Sequence, residues 1–242
     1  MIDIHRIKGV LFDYGGTIDT NGMHWAEVIW KAYQSMRIPV SKEDFLQAYI
    51  YAERMLEKRA LILPVFNYWD TLRVKTQLQV EWLLKSGSLL RGPHLDAIVS
   101  GVTYWCYTYA KISIETARPI LCHLSVSYPL ALVTNFYGNI ETILKDFRLD
   151  GYFSIVIESE AVGIRKPHPD MFALGLEGLK LLPEDTVVIG DSYDKDIAPA
   201  ALLGCQTIWL KRKGWGEYRG DETADEIISD ITELMDLFAT IV

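Results

Sequence analysis

Short apolar runs alternate with helical patterns along much of this chain. Residues 7–13 form an apolar run that stops at Gly15 and Gly16, the pattern of a buried strand entering a tight turn. Later short runs rich in β-branched residues lie at 129–134, 154–157, 186–190 and 205–210. Helical spacing is found in residues 116–127, 138–147, 169–181 and 194–203. Strands that alternate with helices in this way predict a parallel sheet with helices on both faces.

The stretch from about residue 23 to 113 differs, because it has amphipathic helical patterns and no convincing strand. Its clearest helix follows Ser41, which is expected to be the N-cap, and has apolar residues at helical spacing through Leu56. Residues 67–85 and 93–112 repeat the helical pattern.

These patterns divide the chain into two domains. We expect an α/β core built from residues 1–18 and 116–242, and an all-helical domain inserted at residues 19–115. Within the core, residues 224–242 predict a short strand and a closing helix.

Composition and charge exclude several classes of protein. Half of the residues are apolar and 23% are charged, which is ordinary for a folded globular protein. The net charge of -8 argues against nucleic acid as a partner, since a phosphate backbone is bound by clustered Lys and Arg. No apolar stretch reaches the ~18 residues of a membrane span. The first apolar run ends at Asp13 and leaves no signal-peptide core, so a cytoplasmic protein without a membrane partner is expected. The cysteines Cys106, Cys122 and Cys205 share no metal-binding spacing and are expected to be buried reduced thiols.

Polar signals stand at the ends of the predicted strands. Asp13 precedes the glycine turn, and Thr134 with Asn135 ends the second apolar run. Lys166 precedes a proline turn that starts a helix, and residues 190–196 form an acidic loop after the Val-Val-Ile run. Ligands of open α/β sheets bind at the carboxyl ends of the strands, so these positions predict one common site.

The residue types in these signals suit phosphoryl transfer. An ionised Asp13 is a usable nucleophile toward phosphorus if the negative charges are screened. Asp13 and Asp191 offer the hard oxygen ligands that Mg²⁺ prefers. Lys166 adds a fixed positive charge, and Thr134 can donate a hydrogen bond to a phosphoryl oxygen as charge develops.

In the order and placement of these motifs, the sequence resembles the haloacid dehalogenase superfamily over nearly its whole length. The resemblance implies a Rossmann-like α/β core and a helical cap of the first type, inserted between the first and second motifs. It also implies hydrolysis of a small phosphorylated substrate through an aspartyl phosphate, with Mg²⁺ as cofactor.

The resemblance assigns roles to individual residues. The catalytic residues are Asp13 as nucleophile, Thr134 as phosphate-binding hydroxyl and Lys166 as the motif lysine. The expected metal ligands are Asp13, Asp191, Asp196 and the main-chain carbonyl of Gly15. Thr17 and Asn135, in the first and second motifs, are expected to bind substrate.

Gly15 departs from the family pattern. Phosphatases of the family carry a second aspartate two residues after the nucleophile, where it protonates the leaving group and later activates water. A glycine cannot transfer a proton. Because general acid–base catalysis typically contributes ~10²–10⁴-fold, phosphomonoester hydrolysis is expected to be slowed unless another group replaces the aspartate.

Three interpretations of this departure remain open. In the first, the chain is a hydrolase in which water or a cap residue supplies the proton, or whose leaving group needs none. Asp19 and His24 are the nearest candidate donors, although a helix-capping aspartate and an exposed histidine are the simpler interpretations of both.

In the second interpretation, the reaction resembles that of the family's phosphonate-cleaving members, which have a small residue at this position and form a Schiff base with a cap lysine. The cap contains Lys31, Lys42, Lys58 and Lys75, each of which is more simply a solvated surface lysine. Dehalogenase chemistry is disfavoured, because Asp191 retains the metal site that those enzymes lack. In the third interpretation, the protein binds a phosphorylated ligand or a protein partner without catalysis.

Overall fold

A computed structural model describes residues 2–92, 94–212, 220 and 223–239. Its centre is a six-stranded sheet in the order β3-β2-β1-β4-β5-β6, in which every neighbouring pair is parallel. The strands are β1 (Gly9–Phe12), β2 (Leu130–Thr134), β3 (Ile155–Glu158), β4 (Thr186–Gly190), β5 (Gln206–Leu210) and β6 (Glu226–Ile228). Each predicted strand lies within one residue or two of an observed one, which confirms the α/β fold.

Most helices belong either to the insertion or to the core, and the fourth helix runs across the expected boundary between them. The first four are α1 (Trp25–Ser35), α2 (Lys42–Lys58), α3 (Tyr68–Ser86) and α4 (Leu95–Ser127). The later helices are α5 (Ile140–Asp146), α6 (Ser159–Val162), α7 (Asp170–Leu179), α8 (Ala198–Leu203) and α9 (Glu233–Phe238). As expected, the Ser41 side chain caps α2 by accepting a hydrogen bond from the Asp44 amide.

Both faces of the sheet are covered, which explains why its strands read as continuous apolar runs. On one face Leu11 packs in a cluster with Val188 and with Phe172 of α7. On the other face Phe12 and Leu132 belong to a larger cluster that includes residues of α4 and of the inserted helices. This alternation of faces along β1 is the period of two that a strand imposes on its side chains.

The prediction of two separate helices at 93–112 and 116–127 is wrong. The structure has one continuous helix across this interval, with Pro119 inside it. Arg118 helps to anchor it, since its guanidinium pairs with Glu115 (2.7 Å) and donates hydrogen bonds to the carbonyls of Phe147 and Arg148 in the core. The expected domain boundary at 115/116 therefore falls within a helix, and the division of the chain at that point stays a prediction.

The cysteine prediction is wrong for Cys122. Cys106 and Cys205 are buried free thiols, whereas Cys122 is exposed on α4. Within the described ranges, no helix combines the length and the apolar character needed to cross a bilayer.

The turn after β1 brings the chain close to the loop after β4. Gly16 has φ of 106°, and a Cβ atom built there would lie 2.4 Å from the Asp191 carboxylate. Neighbouring Gly15 has no positive φ, and a Cβ atom built there meets nothing within 4 Å. Only Gly16 is therefore required to be glycine by the backbone and by the available space.

This difference predicts unequal effects of two alanine substitutions. Gly16→Ala should lower the free energy of unfolding by about 2 kcal/mol or more, because left-handed backbone costs roughly 1–2 kcal/mol and the new methyl group displaces Asp191. Gly15→Ala is the matched control and should change stability by less than about 0.5 kcal/mol. Urea denaturation of both variants measures the difference, and equal losses would contradict the described turn.

Candidate active site

The polar strand ends meet at the centre of the sheet. Strand β1 lies between β2 and β4, so the chain leaves β1 at the point where the strand order reverses. Asp13 follows β1, Thr134 ends β2 and Asp191 follows β4. The structure thus brings these three residues to one edge of the sheet, where Asp13 and Asp191 line a pocket, as is general for ligand sites of open α/β sheets.

Lys166 links the carboxylates of this pocket. Its Nζ lies 2.5 Å from Asp13 Oδ1 and 2.6 Å from Asp196 Oδ1, and it also donates to the Val133 carbonyl at 3.0 Å. The lysine side chain is 2% exposed, so these contacts replace water almost completely. A buried ammonium requires such partners, because an unpaired buried charge is strongly destabilising.

The electrostatics of this cluster favour the addition of positive charge. The pKa of Asp13 is raised to about 7, because burial outweighs the opposing effect of Lys166 and the charge of Asp196 adds to the rise. Burial also raises the pKa of Asp191, and the charges of Asp13 and Asp196 add to that effect. One lysine does not compensate three clustered carboxylates, so ionisation of all three is favoured only when further positive charge is added.

The same carboxylates offer oxygen ligands for a cation. One oxygen atom from each of Asp13, Asp191 and Asp196 lies within 4.8 Å of the others. Both oxygens of Asp196 accept hydrogen bonds, from Lys166 and from the Ser192 amide (3.0 Å), and both oxygens of Asp13 accept them from Lys166 and Thr17. A carboxylate oxygen has a second lone pair with which it can still bind a cation. A hard divalent cation such as Mg²⁺ fits this donor set and its charge. Gly15 lines the same pocket, and its role as a ligand stays a prediction.

The predicted substrate-contacting residues have different surroundings. Thr17 is fully buried, and its hydroxyl donates to Asp13 Oδ2 (3.0 Å) and Asp191 Oδ1 (3.3 Å), which orients both carboxylates. Asn135 brackets the Lys166 backbone, donating to its carbonyl at 2.9 Å and accepting from its amide at 2.8 Å. The Thr134 hydroxyl is buried and has no hydrogen-bond partner among the described residues, which is unusual for a buried polar group, and its contact with a phosphoryl oxygen stays a prediction. Contact of Thr17 and Asn135 with substrate stays a prediction.

Asp19 is not a helix cap, and that interpretation is wrong. It is fully buried, and its Oδ1 accepts a hydrogen bond from the Gly16 amide at 2.7 Å. Its Oδ2 accepts from Trp25 Nε1 (3.0 Å) and from the Tyr68 hydroxyl. Asp19 therefore ties the turn after β1 to α1 and α3, and burial raises the pKa of its carboxyl to about 6.

His24, in contrast, is the residue that caps α1, with Nδ1 accepting from the Ala26 amide at 3.2 Å. It is half-buried and lines the pocket, so the interpretation of His24 as an exposed residue is wrong. Burial, followed by the charge of Lys195, lowers the pKa of His24 to about 4. A neutral imidazole is poorly suited to act as a general acid near pH 7.

The inserted helices close the pocket on the side opposite the sheet. Glu53 of α2 and Lys75 of α3 line it, and their charged atoms are 2.8 Å apart. Lys31, Lys42 and Lys58 are exposed, as expected for surface lysines, but Lys75 is buried. The burial of Lys75 could have been predicted from its helical position, because Leu72, Lys75 and Gln79 share one buried helical face.

Comparisons with known proteins show which family the chain is similar to. The haloacid dehalogenase-like hydrolase family matches residues 7–204. A glyceraldehyde 3-phosphate phosphatase of Methanocaldococcus jannaschii is 40% identical over 250 residues, covering 96% of each chain. A phosphoglycolate phosphatase of Escherichia coli K12 is 33% identical over 246 residues, covering 95% of this chain and 91% of the relative.

Solved structures have the same fold. The L-2-haloacid dehalogenase of Xanthobacter autotrophicus aligns with a TM-score of 0.60 and 18% identity, over 98% of this chain and 100% of that one. A predicted phosphoglycolate phosphatase of Haemophilus somnus aligns with a TM-score of 0.57 and 21% identity, over 96% and 98%. The family match and the relatives of similar length lead to one conclusion: this chain belongs to the haloacid dehalogenase-like hydrolases.

Proposed function

We propose that this hydrolase cleaves phosphate monoesters of small metabolites, with Asp13 as the nucleophile and Mg²⁺ as the cofactor. The observation that carries the proposal is the buried Lys166 ammonium held between Asp13 and Asp196, with Asp191 beside them. This arrangement fixes a carboxylate at the end of the central strand and supplies positive charge where a phosphoryl group would enter.

In the first step, a carboxylate oxygen of Asp13 attacks phosphorus and the bond from phosphorus to the ester oxygen breaks. Lys166 and Thr17 hold the Asp13 carboxylate in orientation through its two oxygens. The Thr134 hydroxyl donates to a phosphoryl oxygen as negative charge develops on it. The products are an aspartyl phosphate and an alcohol, whose oxygen must gain a proton.

In the second step, water attacks the phosphorus of the aspartyl phosphate, which releases inorganic phosphate and restores the Asp13 carboxylate. Asp13 and Asp191 would hold Mg²⁺, which when bound would screen the negative charges of carboxylate and phosphate and polarise the phosphoryl group. Residues of the chain exclude bulk water, since Asp13, Lys166 and Asp196 are each no more than 6% exposed in their side chains.

The proton required in the first step has no dedicated donor at position 15. Gly15 cannot supply it, and Asp19 is engaged by Gly16, Trp25 and Tyr68. We infer that water protonates the leaving oxygen, so that the rate depends strongly on the leaving group.

The relatives support a small phosphorylated substrate. The relative with 40% identity is a glyceraldehyde 3-phosphate phosphatase, and the 33% identical one is a phosphoglycolate phosphatase. Both cover nearly the whole of this chain. The two named substrates are alike in size but differ in the second group, an aldehyde in one and a carboxylate in the other, so the relatives support the size of the substrate and not the choice between these groups.

Phosphonate cleavage through a Schiff base receives less support. Such chemistry needs a neutral amine, and Lys75 is the cap lysine that reaches the pocket. Burial alone lowers the pKa of Lys75, but Glu53 and the nearby tyrosines outweigh burial and raise it above its usual range. Lys75 is therefore held as an ammonium, which is not a nucleophile.

The metal site predicts a specific thermal response. Mg²⁺ in about hundred-fold excess over its Kd should stabilise the folded protein by about 2.7 kcal/mol, because a ligand that binds only the folded state acts by mass action. Asp191→Asn should abolish the rise in Tm. The matched control is Asp194→Asn, which removes the same charge from an exposed position of the same loop. Thermal denaturation with and without Mg²⁺ measures all three proteins, and an unchanged response in Asp191→Asn would remove Asp191 from the site.

Position 15 predicts how the rate depends on the leaving group. The natural protein should cleave acetyl phosphate and p-nitrophenyl phosphate much faster than alkyl phosphates, whose alkoxides leave poorly without a proton. Gly15→Asp should raise alkyl phosphatase activity by about 10²-fold or more, and the open space at Gly15 accommodates the side chain.

Gly15→Asn is the control for this variant, since it has nearly the same shape and no acidic proton. Steady-state rates with released phosphate as readout compare the three proteins. No gain in a folded, Mg²⁺-binding Gly15→Asp protein would mean that proton transfer does not limit the reaction, and would favour a phosphate-binding role without catalysis.

A further inference from the structure

The cap side of the pocket is formed by three side chains from different parts of the chain. Glu53 comes from α2, Lys75 from α3 and Tyr137 from the loop between β2 and α5. Lys75 Nζ lies 2.8 Å from Glu53 Oε1 and 5.5 Å from the centre of the Tyr137 ring. The Tyr137 hydroxyl donates to Glu53 Oε2 at 3.0 Å. We call these three residues the cap-side cluster.

Both charges of this cluster are present. Burial alone raises the pKa of Glu53, but Lys75 and the hydrogen bond from Tyr137 outweigh burial and lower it. The Lys75 side chain is 9% exposed and the Glu53 side chain 27% exposed, so the pair is largely withdrawn from water. A buried ion pair contributes little net stability compared with apolar residues of similar volume, so packing alone does not explain its presence beside the pocket.

One oxygen of the cluster has acceptor capacity left. Glu53 Oε1 is buried and lies 2.8 Å from Lys75 Nζ in an ion pair. A carboxylate oxygen has two lone pairs, so Oε1 can also accept a hydrogen bond from a donor on a bound molecule. A hydroxyl group is such a donor, whereas a carboxylate is not.

The charges that line the pocket also disfavour a second anionic group on the substrate. Among the described residues that line it, the carboxylates are Asp13, Glu53, Glu57, Asp191 and Asp196, and the cations are Lys75, Arg165, Lys166 and Lys195. Three of these cations are paired within the pocket: Lys75 with Glu53, Arg165 with Glu57, and Lys166 with Asp13 and Asp196. Lys195 is exposed, where solvent screens its charge. The cap side therefore has no buried cation to spare for a second anionic group.

We propose that the substrate is a phosphomonoester of an uncharged hydroxylated compound, and that Glu53 excludes phosphorylated carboxylic acids. The phosphate lies at the carboxyl ends of the strands, and a hydroxyl of the substrate donates to Glu53 Oε1. A carboxylate in that position faces Glu53 as a like charge at short range, while the nearby Lys75 is already paired with Glu53, and this disfavours binding. This inference rests on the proposed phosphomonoester hydrolysis and narrows its substrate class.

A pair of ligands that differ in one group tests the inference. D-Glyceraldehyde 3-phosphate and 3-phospho-D-glycerate differ in an aldehyde against a carboxylate on the terminal carbon. Calorimetry on Asp13→Asn with Mg²⁺ measures both dissociation constants without turnover. We expect the aldehyde to bind about ten-fold more tightly or better, since like charges at short range strongly disfavour the wrong ligand. Equal or tighter binding of the carboxylate overturns the inference.

Variants at Glu53 locate the source of the preference. In the Asp13→Asn background, Glu53→Gln should tighten binding of the carboxylate and bring the ratio of the two constants close to one. Glu57→Gln is the matched control, one helical turn further along α2, and its ratio should stay close to that of the parent. An equal change in both variants would assign the preference to general charge and overturn the role of Glu53.

Two further measurements separate a failure of the inference from a failure of the variant to fold and from a failure of the proposed hydrolysis. If Glu53→Gln leaves Lys75 buried and unpaired and does not fold, Glu53→Gln/Lys75→Met removes both charges and should also bring the ratio close to one. If neither ligand binds, the inference fails. Turnover of p-nitrophenyl phosphate by the natural protein then decides separately whether the proposed hydrolysis stands.

Discussion

The ammonium group of Lys166, shared by Asp13 and Asp196, is the interaction on which the site depends. Three carboxylates converge at the carboxyl ends of β1 and β4, and without a counter-charge their burial and mutual repulsion would favour protonation. Removing one partner of a buried ion pair typically costs about 3–5 kcal/mol, so Lys166 stabilises the loops as well as the ionised nucleophile. Asn135 holds the Lys166 backbone from both sides, which gives the second motif a structural role beside the Thr134 hydroxyl.

The two glycines after the nucleophile illustrate separate constraints on neighbouring positions. Gly16 is fixed by its backbone conformation and by the close approach of Asp191. Gly15 has neither constraint, so the absence of an acidic side chain there is a chemical property of this chain and not a requirement of the turn. The insertion then contributes through Asp19, Trp25 and Tyr68, whose hydrogen bonds join the turn after β1 to the cap helices.

Much of the fold follows from local patterns in the sequence. Short apolar runs predicted the buried strands, because a parallel sheet covered on both faces has no polar side. The polar residues that follow these runs were predicted to meet, because the carboxyl ends of parallel strands lie at the same edge of a sheet. The continuity of α4 could not be predicted, because Pro119 reads as a helix breaker while Arg118 anchors this part of α4 through long-range contacts with the core. The ion pair of Lys75 with Glu53 and the hydrogen bond of Asp19 with Tyr68 were not predicted for a similar reason. Each joins distant segments, and a single sequence contains no signal for such pairings.

The aspartyl phosphate on Asp13 is the central claim, and peptide mass spectrometry after acid quenching tests it most directly. The natural protein is mixed with p-nitrophenyl phosphate and Mg²⁺ and quenched before turnover is complete. The account predicts one added phosphoryl group on the peptide that contains Asp13, and none in Asp13→Asn. Steady release of phosphate with the phosphoryl group on another residue, or with undiminished turnover in Asp13→Asn, would contradict it.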